Sequence, residues 1–137
     1  MKKLLPLSFS IFYLFSIPCF AQNDTIWFNS NWKETSKKDT FFYRLKPTKK
    51  GDAYYVVDYF MNGSKQMEGL SKYPGKDIYL GLITWYYENG NIKTAGIYDK
   101  DKKIGDWTWY FLEGGIDMEG NFENDQAHGA WKYYHPN

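Results

Sequence analysis

The chain has 137 residues, of which 43% are hydrophobic and 21% aromatic, and its formal net charge is +1. This length suits a single domain, and a nearly neutral charge gives no general attraction for nucleic acid. Cys19 is the only cysteine in the sequence, which excludes an intrachain disulfide and a cysteine-rich metal site.

The first 21 residues have the three-part layout of a secretory signal peptide. Met1–Lys3 is basic, and Leu4–Phe20 is an uncharged run rich in leucine, isoleucine and phenylalanine. Ala21 follows, with the small residue Cys19 two positions earlier, so we predict that residues 1–21 are a signal peptide cleaved after Ala21. The prolines inside the apolar run argue against a permanent membrane span. The sequence therefore predicts export to the periplasm, the cell surface or the medium.

Cleavage changes the composition of the chain that remains. Residues 22–137 keep 15 of the 17 basic residues, because Lys2 and Lys3 are lost, against 16 acidic ones. Cys19 is lost as well. Lipid attachment at Cys19 is disfavoured, because Pro18 stands where such a site requires a small residue. Packing and strand pairing must then stabilise the mature domain, in which we predict no transmembrane segment.

Residues 22–52 form an N-terminal segment that we expect to share one domain with residues 53–137. Thr25–Phe28 and Thr40–Leu45 are β-branched and aromatic, which predicts two short strands. The polar residues Asn29–Asp39 between them predict a loop. Pro47–Asp52 predicts a turn or loop, since proline removes a backbone donor.

From Ala53 onward a pattern of glycines and aromatic residues recurs. Glycines spaced 24 residues apart mark its period: Gly81, Gly105 and Gly129. Four and five residues after each glycine stand two aromatic residues: Trp85 and Tyr86, Trp109 and Tyr110, Tyr133 and Tyr134. This register predicts tandem repeats at about 53–80, 81–104 and 105–128, followed by a half repeat at 129–137. The first copy is more diverged, with an offset of 27 residues.

Each repeat is predicted to be a β-hairpin, since apolar and polar residues alternate with period two. Three glycines are predicted to form the hairpin turns: Gly63, Gly90 and Gly114. At Asn89-Gly90 the dipeptide favours a two-residue turn. Residues 99–104 and 124–128 are predicted to link successive hairpins. The half repeat is predicted to pair back onto the third hairpin.

Glycines also recur inside the return strands, at Gly69, Gly96 and Gly120. Glycine weakens a strand interior, so its repetition needs a cause; we predict that a neighbouring tryptophan or tyrosine ring lies over the backbone there. The fold is therefore predicted to be all-β, an elongated single-layer antiparallel meander of tandem hairpin repeats after the signal peptide. The N-terminal segment is expected to cover or extend one end.

The pattern resembles the variant MORN repeat found in bacteria, over about residues 53–137. The matching residues include Gly105, Trp107, Tyr110, Phe111, Gly114, Gly120 and Phe122. The resemblance implies a single-layer array of β-hairpins and no established catalytic residues. Some members are labelled as antitoxins, and some exported proteins with a similar N-terminal region carry a TonB C-terminal domain after the repeats.

Aromatic columns are the candidate binding and packing residues. The column Tyr59, Tyr86, Tyr110 and Tyr134 is predicted to line one face, where it either packs across strands or stacks on a sugar, peptide or protein. The tryptophans are predicted to lie on the opposite face as core: Trp85, Trp107, Trp109 and Trp131.

The polar residues give no sign of catalysis. His128 and His135 lack acidic or cysteine partners at ligand spacing, and His128 is expected in a turn. The acids between Asp99 and Asp125 are interpreted as solvated surface, and so are the lysines at 100, 102 and 103. We predict no enzyme, no metal and no cofactor.

Three functions are compatible with this sequence. The first is an exported, non-enzymatic module that binds a protein partner or acts as a scaffold at the cell envelope. The second is binding of cell-wall or other glycans through an aromatic stripe. The third is sequestration of a toxin, as in an antitoxin or immunity protein, and it rests on the family label alone. Open sheet edges also allow self-association.

Overall fold

A computed structural model describes residues 25–136, so the predicted signal peptide and its cleavage site lie outside the described residues. The fold is a single open antiparallel sheet, as predicted, with the strand order β1-β2-β4-β5-β6-β7-β8-β9-β10 and with β3 paired to β4. The strands are β1 (Thr25–Phe28), β2 (Phe42–Leu45), β3 (Thr48–Lys50), β4 (Ala53–Phe60), β5 (Lys65–Tyr73), β6 (Lys76–Tyr86), β7 (Ile92–Asp99), β8 (Lys102–Tyr110), β9 (Ile116–Glu123) and β10 (Gln126–Tyr133).

The N-terminal segment extends the sheet and also covers part of it. Strands β1 and β2 pair with each other, and β2 pairs with β4, which confirms the two predicted strands. The loop between them contains one 3₁₀ turn, Lys37–Asp39. Its Trp32 stacks on Phe42 with ring centroids 4.3 Å apart. None of the helical structure in residues 25–136 is long and apolar enough to cross a membrane.

The prediction of a loop at Pro47–Asp52 is wrong in part. Thr48–Lys50 forms β3, which pairs with the first three residues of β4. Only Gly51 and Asp52 remain as the turn, and Gly51 supplies a positive φ of 59°. Pro47 separates β2 from β3, where its missing N–H interrupts the ladder along β4.

The hairpin turns differ from the predicted two-residue form. In the β6–β7 hairpin the Gly90 N–H donates to the Tyr87 carbonyl (2.9 Å), and the Tyr87 N–H donates to the carbonyl of residue 91 (2.8 Å). The loop therefore comprises residues 88–90, an ordinary turn followed by Gly90 with φ of 89°. Asn89 keeps a negative φ, so the two-residue Asn–Gly turn was the wrong prediction. Gly63 and Gly114 occupy the same position in the other hairpins.

The glycines that mark the period form β-bulges. Opposite the step from Gly69 to Leu70, strand β6 has two extra residues, Gly81 and Leu82, between Leu80 and Ile83. The same shift occurs in β8 and β10. The bulge glycines all have positive φ between 62° and 69°: Gly81, Gly105 and Gly129. Only glycine adopts this backbone at little cost, which is a physical reason for a glycine every 24 residues.

The linking turns are shorter than predicted. They comprise Lys100–Asp101 and Asn124–Asp125, and all four residues have positive φ. Residues 102–104 and 126–128 belong to strands β8 and β10. His128 therefore lies in a strand rather than in a turn, and the repeat boundaries placed at the period glycines fall inside strands.

Two aspartates of these turns connect successive hairpins. Asp101 Oδ1 accepts a hydrogen bond from the Tyr79 N–H (3.2 Å), and the Asp101 N–H donates to the Tyr79 carbonyl (3.1 Å). Asp125 makes the same two bonds with Lys103, at 2.8 and 3.0 Å. Asp101 and Asp125 are exposed, as predicted for these acids, and their hydrogen bonds also fix each turn beside the strand that precedes a bulge.

The core lies on the face of the sheet that carries the strand-interior glycines. A Cβ added at Gly96 would overlap the Trp107 ring, and one at Gly120 would overlap Trp131, which confirms the predicted packing of rings over glycine. At Gly69 the overlapping group is Ile83 instead. The most buried apolar side chains lie here: Val56, Met67, Ile83 and Trp107. Strand β10 pairs with β9, as predicted for the half repeat.

Candidate functional site

The predicted tyrosine column lies on one face of the sheet. Residues directly opposite each other in an antiparallel pair share a face, and Tyr59, Tyr86, Tyr110 and Tyr134 all alternate with the glycine positions. We call this surface the tyrosine face.

At its N-terminal end the tyrosine face is extended by Tyr43, which stacks on Tyr59 (5.1 Å between centroids), and by Trp27, which contacts Tyr43. These two residues precede the repeats and have no repeat register, so their membership of the column could not be predicted.

Carboxylates, rather than ring stacking, hold two of these tyrosines. The Tyr86 hydroxyl donates to Glu68, which lies one strand away. The Tyr134 hydroxyl donates to Glu119 Oε1 at 2.8 Å. By register, Ala95 stands where the equivalent glutamate would meet Tyr110. Among the described residues no partner is seen for the Tyr110 hydroxyl, so the β7–β8 junction lacks this bond.

Glu68 is the centre of a hydrogen-bonded cluster on this face. It accepts bonds from Tyr55, Tyr86 and Lys65 Nζ, the last at 2.7 Å. Burial opposes ionisation of Glu68, but the three donors outweigh it and lower its pKa to about 2. Its hydrogen bond raises the pKa of Tyr55 to about 12. The cluster therefore consists of an ionised carboxylate held between two neutral phenols.

Apolar side chains accompany the tyrosines and are unusually exposed. Ile92 is paired with Tyr86 and is 41% exposed, and Ile116 is paired with Tyr110 and is 37% exposed. Further along the strands Leu82, 62% exposed, lies opposite Ile97. No described segment covers this face, so it presents an apolar surface to solvent.

The opposite surface, which we call the tryptophan face, is a continuous array of rings. Trp107 lies between Trp85 and Trp109, with centroids 5.9 and 5.7 Å away, and Tyr98 meets Trp107 edge-on at 5.2 Å. Phe122 and Trp131 continue the array. The predicted core role is correct for Trp107, which is 2% exposed. Trp85 and Trp109 are only partly buried, and they line an open cleft.

This cleft has a volume of about 250 Å³ and is formed by the four rings Trp85, Tyr98, Trp107 and Trp109. Its polar lining consists of Gln66, Lys93, Thr94 and Lys103. Lys103 Nζ lies 4.9 Å from the Trp107 ring and 5.0 Å from the Phe122 ring. The interpretation of Lys103 as plain surface charge was therefore wrong, since its side chain packs on the aromatic array.

A buried ion pair lies beside the cleft. Arg44 binds Asp58 through two hydrogen bonds of 2.6 and 2.8 Å, and both residues are at most 2% exposed. Asp77 adds a third contact at 2.9 Å. Burial works against the charge on Arg44, but the hydrogen bonds and charge of Asp58 outweigh it and raise the Arg44 pKa. The sequence could not predict this pair, because its members lie on separate strands that no repeat register relates.

The histidines are not brought together with other ligands. His128 Nδ1 lies 3.6 Å from Glu123, and both side chains are largely exposed. Within residues 25–136, no cluster of three histidine, cysteine or acidic residues is placed to hold a metal ion.

Comparison with known proteins supports the repeat assignment. No curated protein and no solved structure matched the chain. One family model matched, over residues 79–100, and its description is "MORN repeat variant". These residues span most of β6, the hairpin turn, β7 and the first residue of the linking turn. The hairpin at residues 79–100 therefore matches the MORN repeat variant.

Proposed function

We propose that the chain is an exported, non-enzymatic repeat module that binds a protein partner at the cell envelope through the tyrosine face. The observation that carries the proposal is the exposed apolar surface formed by Tyr110, Ile92, Ile116 and the pair Leu82–Ile97. Exposed apolar patches on soluble proteins mark interaction sites.

The charge on this face indicates the chemistry of the partner. Glu68 is paired with Lys65 at 2.7 Å, and Glu119 with Lys132 at 2.9 Å. The charges neutralise each other locally, so they provide no strong attraction for a charged ligand. A protein with an apolar contact surface fits these properties best.

Site-specific cross-linking tests the binding surface. A photoreactive residue replacing Ile92 is expected to capture a defined envelope protein, and the same residue at Leu112, which is also exposed but lies in a hairpin turn, is not. The double variant Ile92→Ser with Ile116→Ser should lose the partner in affinity capture, whereas Leu112→Ser should keep it. Equal capture from both sites, or no partner from either, would refute the proposal.

Export is tested separately from binding. Expression of the full chain in a Gram-negative host should yield a periplasmic or released product whose first residue is Gln22, measured by mass spectrometry of the intact protein. A product that retains Met1 in the cytoplasm would exclude the envelope location while leaving the binding surface to be judged on its own.

A further inference from the structure

The cleft on the tryptophan face has the properties of a ligand site that is distinct from the tyrosine face. Trp85, Trp107 and Trp109 form adjacent indole surfaces, with interplanar angles of 31° and 32° between neighbours. Tyr98 closes one side, edge-on to Trp107. Such a surface offers several flat apolar rings to one small ligand.

The charge of the cleft is positive. Lys93 and Lys103 line it, and no acidic residue does. The ammonium groups of these lysines lie over aromatic rings, Lys93 over Tyr87 at 5.7 Å and Lys103 over Trp107 at 4.9 Å. Within the described part of the chain, neither lysine forms an ion pair. A carboxylate at either end of the cleft would therefore gain a cation that forms no ion pair among the described residues.

We propose that this cleft binds a carboxyl-bearing sugar, such as a uronic acid residue of an acidic glycan. The ring stacks on the indoles and its carboxylate meets Lys103. Lys93 lies at the other end of the cleft, where it is placed for the carboxylate of an adjoining uronic acid residue. The volume of about 250 Å³ holds one such ring. An extended peptide fits less well, because backbone groups in the middle of a sheet are already used in strand pairing. This site does not depend on the tyrosine face.

Titration of intrinsic tryptophan fluorescence with defined saccharides tests the proposal. Oligogalacturonate and a glucuronate-containing oligosaccharide should give saturable changes, and a neutral galactose oligomer should bind at least about tenfold more weakly. Lys103→Gln and Lys93→Gln should each weaken binding of the acidic sugars about tenfold. The matched control is Lys102→Gln, which removes the same charge from the exposed neighbour and should leave the affinity unchanged.

Any one of four results would overturn the proposal. The first three are the absence of saturable binding by both acidic saccharides, equal affinity for the neutral oligomer, and equal effects of Lys102→Gln and Lys103→Gln. A glutamate-rich peptide that competes at the same affinity would also overturn it, in favour of an acidic protein ligand. Circular dichroism of each variant checks that the sheet is retained. The Ile92→Ser and Ile116→Ser variant should bind the sugars normally, which separates this site from the proposed protein-binding surface.

Discussion

Replacing Gly96 by alanine tests whether the repeated glycines exist to admit a ring. Gly96 has no positive φ, so alanine is sterically acceptable to the backbone itself. Its Cβ, however, would lie 2.6 Å from Cε3 of Trp107 and nearer still to two other ring atoms. Ordinary carbon contacts are about 3.5–4.0 Å. The expected damage therefore comes from one defined overlap.

The magnitude follows from how little the Trp107 ring can move. It is 2% exposed and touches Trp85, Tyr98, Trp109 and Phe122. Overpacking of this kind costs about 1–3 kcal/mol, and the upper end applies because neighbours surround the ring. Alanine also restricts the unfolded chain, which returns about 0.4–1 kcal/mol. The expected net loss in the free energy of unfolding is about 2 kcal/mol.

Urea unfolding of residues 22–137, followed by far-ultraviolet circular dichroism, measures this loss. Gly75→Ala is the matched control, because its φ is not positive and an added Cβ meets nothing within 4 Å; it should change stability by less than about 0.5 kcal/mol. In a Trp107→Leu background Gly96→Ala should cost little, giving a coupling energy of about 2 kcal/mol. An equal cost with and without the Trp107 ring would contradict the reasoning.

Three further outcomes are expected from the same measurement. Ala95→Glu should place a carboxylate beside Tyr110 and stabilise the chain by about 1 kcal/mol at neutral pH, a gain that Tyr110→Phe should abolish. Burial opposes ionisation of Glu68, but its hydrogen bonds lower its pKa from 4.5 to about 2. Between these pH values the unfolded chain therefore binds more protons than the folded one, and the free energy of unfolding should fall by about 1–2 kcal/mol as pH decreases through this window. The Glu68→Gln variant should not show this fall. Arg44→Met should lower the free energy of unfolding by about 3–5 kcal/mol because Asp58 is left buried and unpaired. Adding Asp58→Leu should recover most of that loss. A double variant as unstable as the single one would show that the lost pairing is not the cause.

Much of the fold could be predicted because the repeat spacing shows which residues of successive hairpins are equivalent. The 24-residue spacing and the period-two alternation place every strand from β4 to β10 in order. Gly96 and Gly120 predict that an aromatic ring packs over them, since a strand interior tolerates glycine only where a ring needs the room. The position of Tyr86, Tyr110 and Tyr134 on one face follows from the same alternation.

The errors arise where one short sequence is compatible with two different backbone conformations. Asn89-Gly90 suits both a two-residue turn and the end of a three-residue loop, and only the register with β7 distinguishes them. The bulge at Gly81 shifts the ladder by two residues, so each side chain stays on the same face of the sheet. The alternation of apolar and polar residues therefore does not reveal the bulge. The Arg44–Asp58 pair and the cleft involve residues from several strands, and no local pattern joins them.

The departures from the repeat are concentrated where β7 meets β8. Ala95 stands where the preceding and following junctions have Glu68 and Glu119, which leaves the Tyr110 hydroxyl without the carboxylate that its equivalents bind. On the opposite face of the same two strands, Lys93 and Lys103 of the cleft form no ion pair among the described residues. A repeat selected for stability alone would satisfy the tyrosine, because the neighbouring copies show that a glutamate fits there. If function keeps it unpaired, Ala95→Glu should gain stability and at the same time weaken capture of the protein partner, and a variant that gains stability with full capture would separate the two.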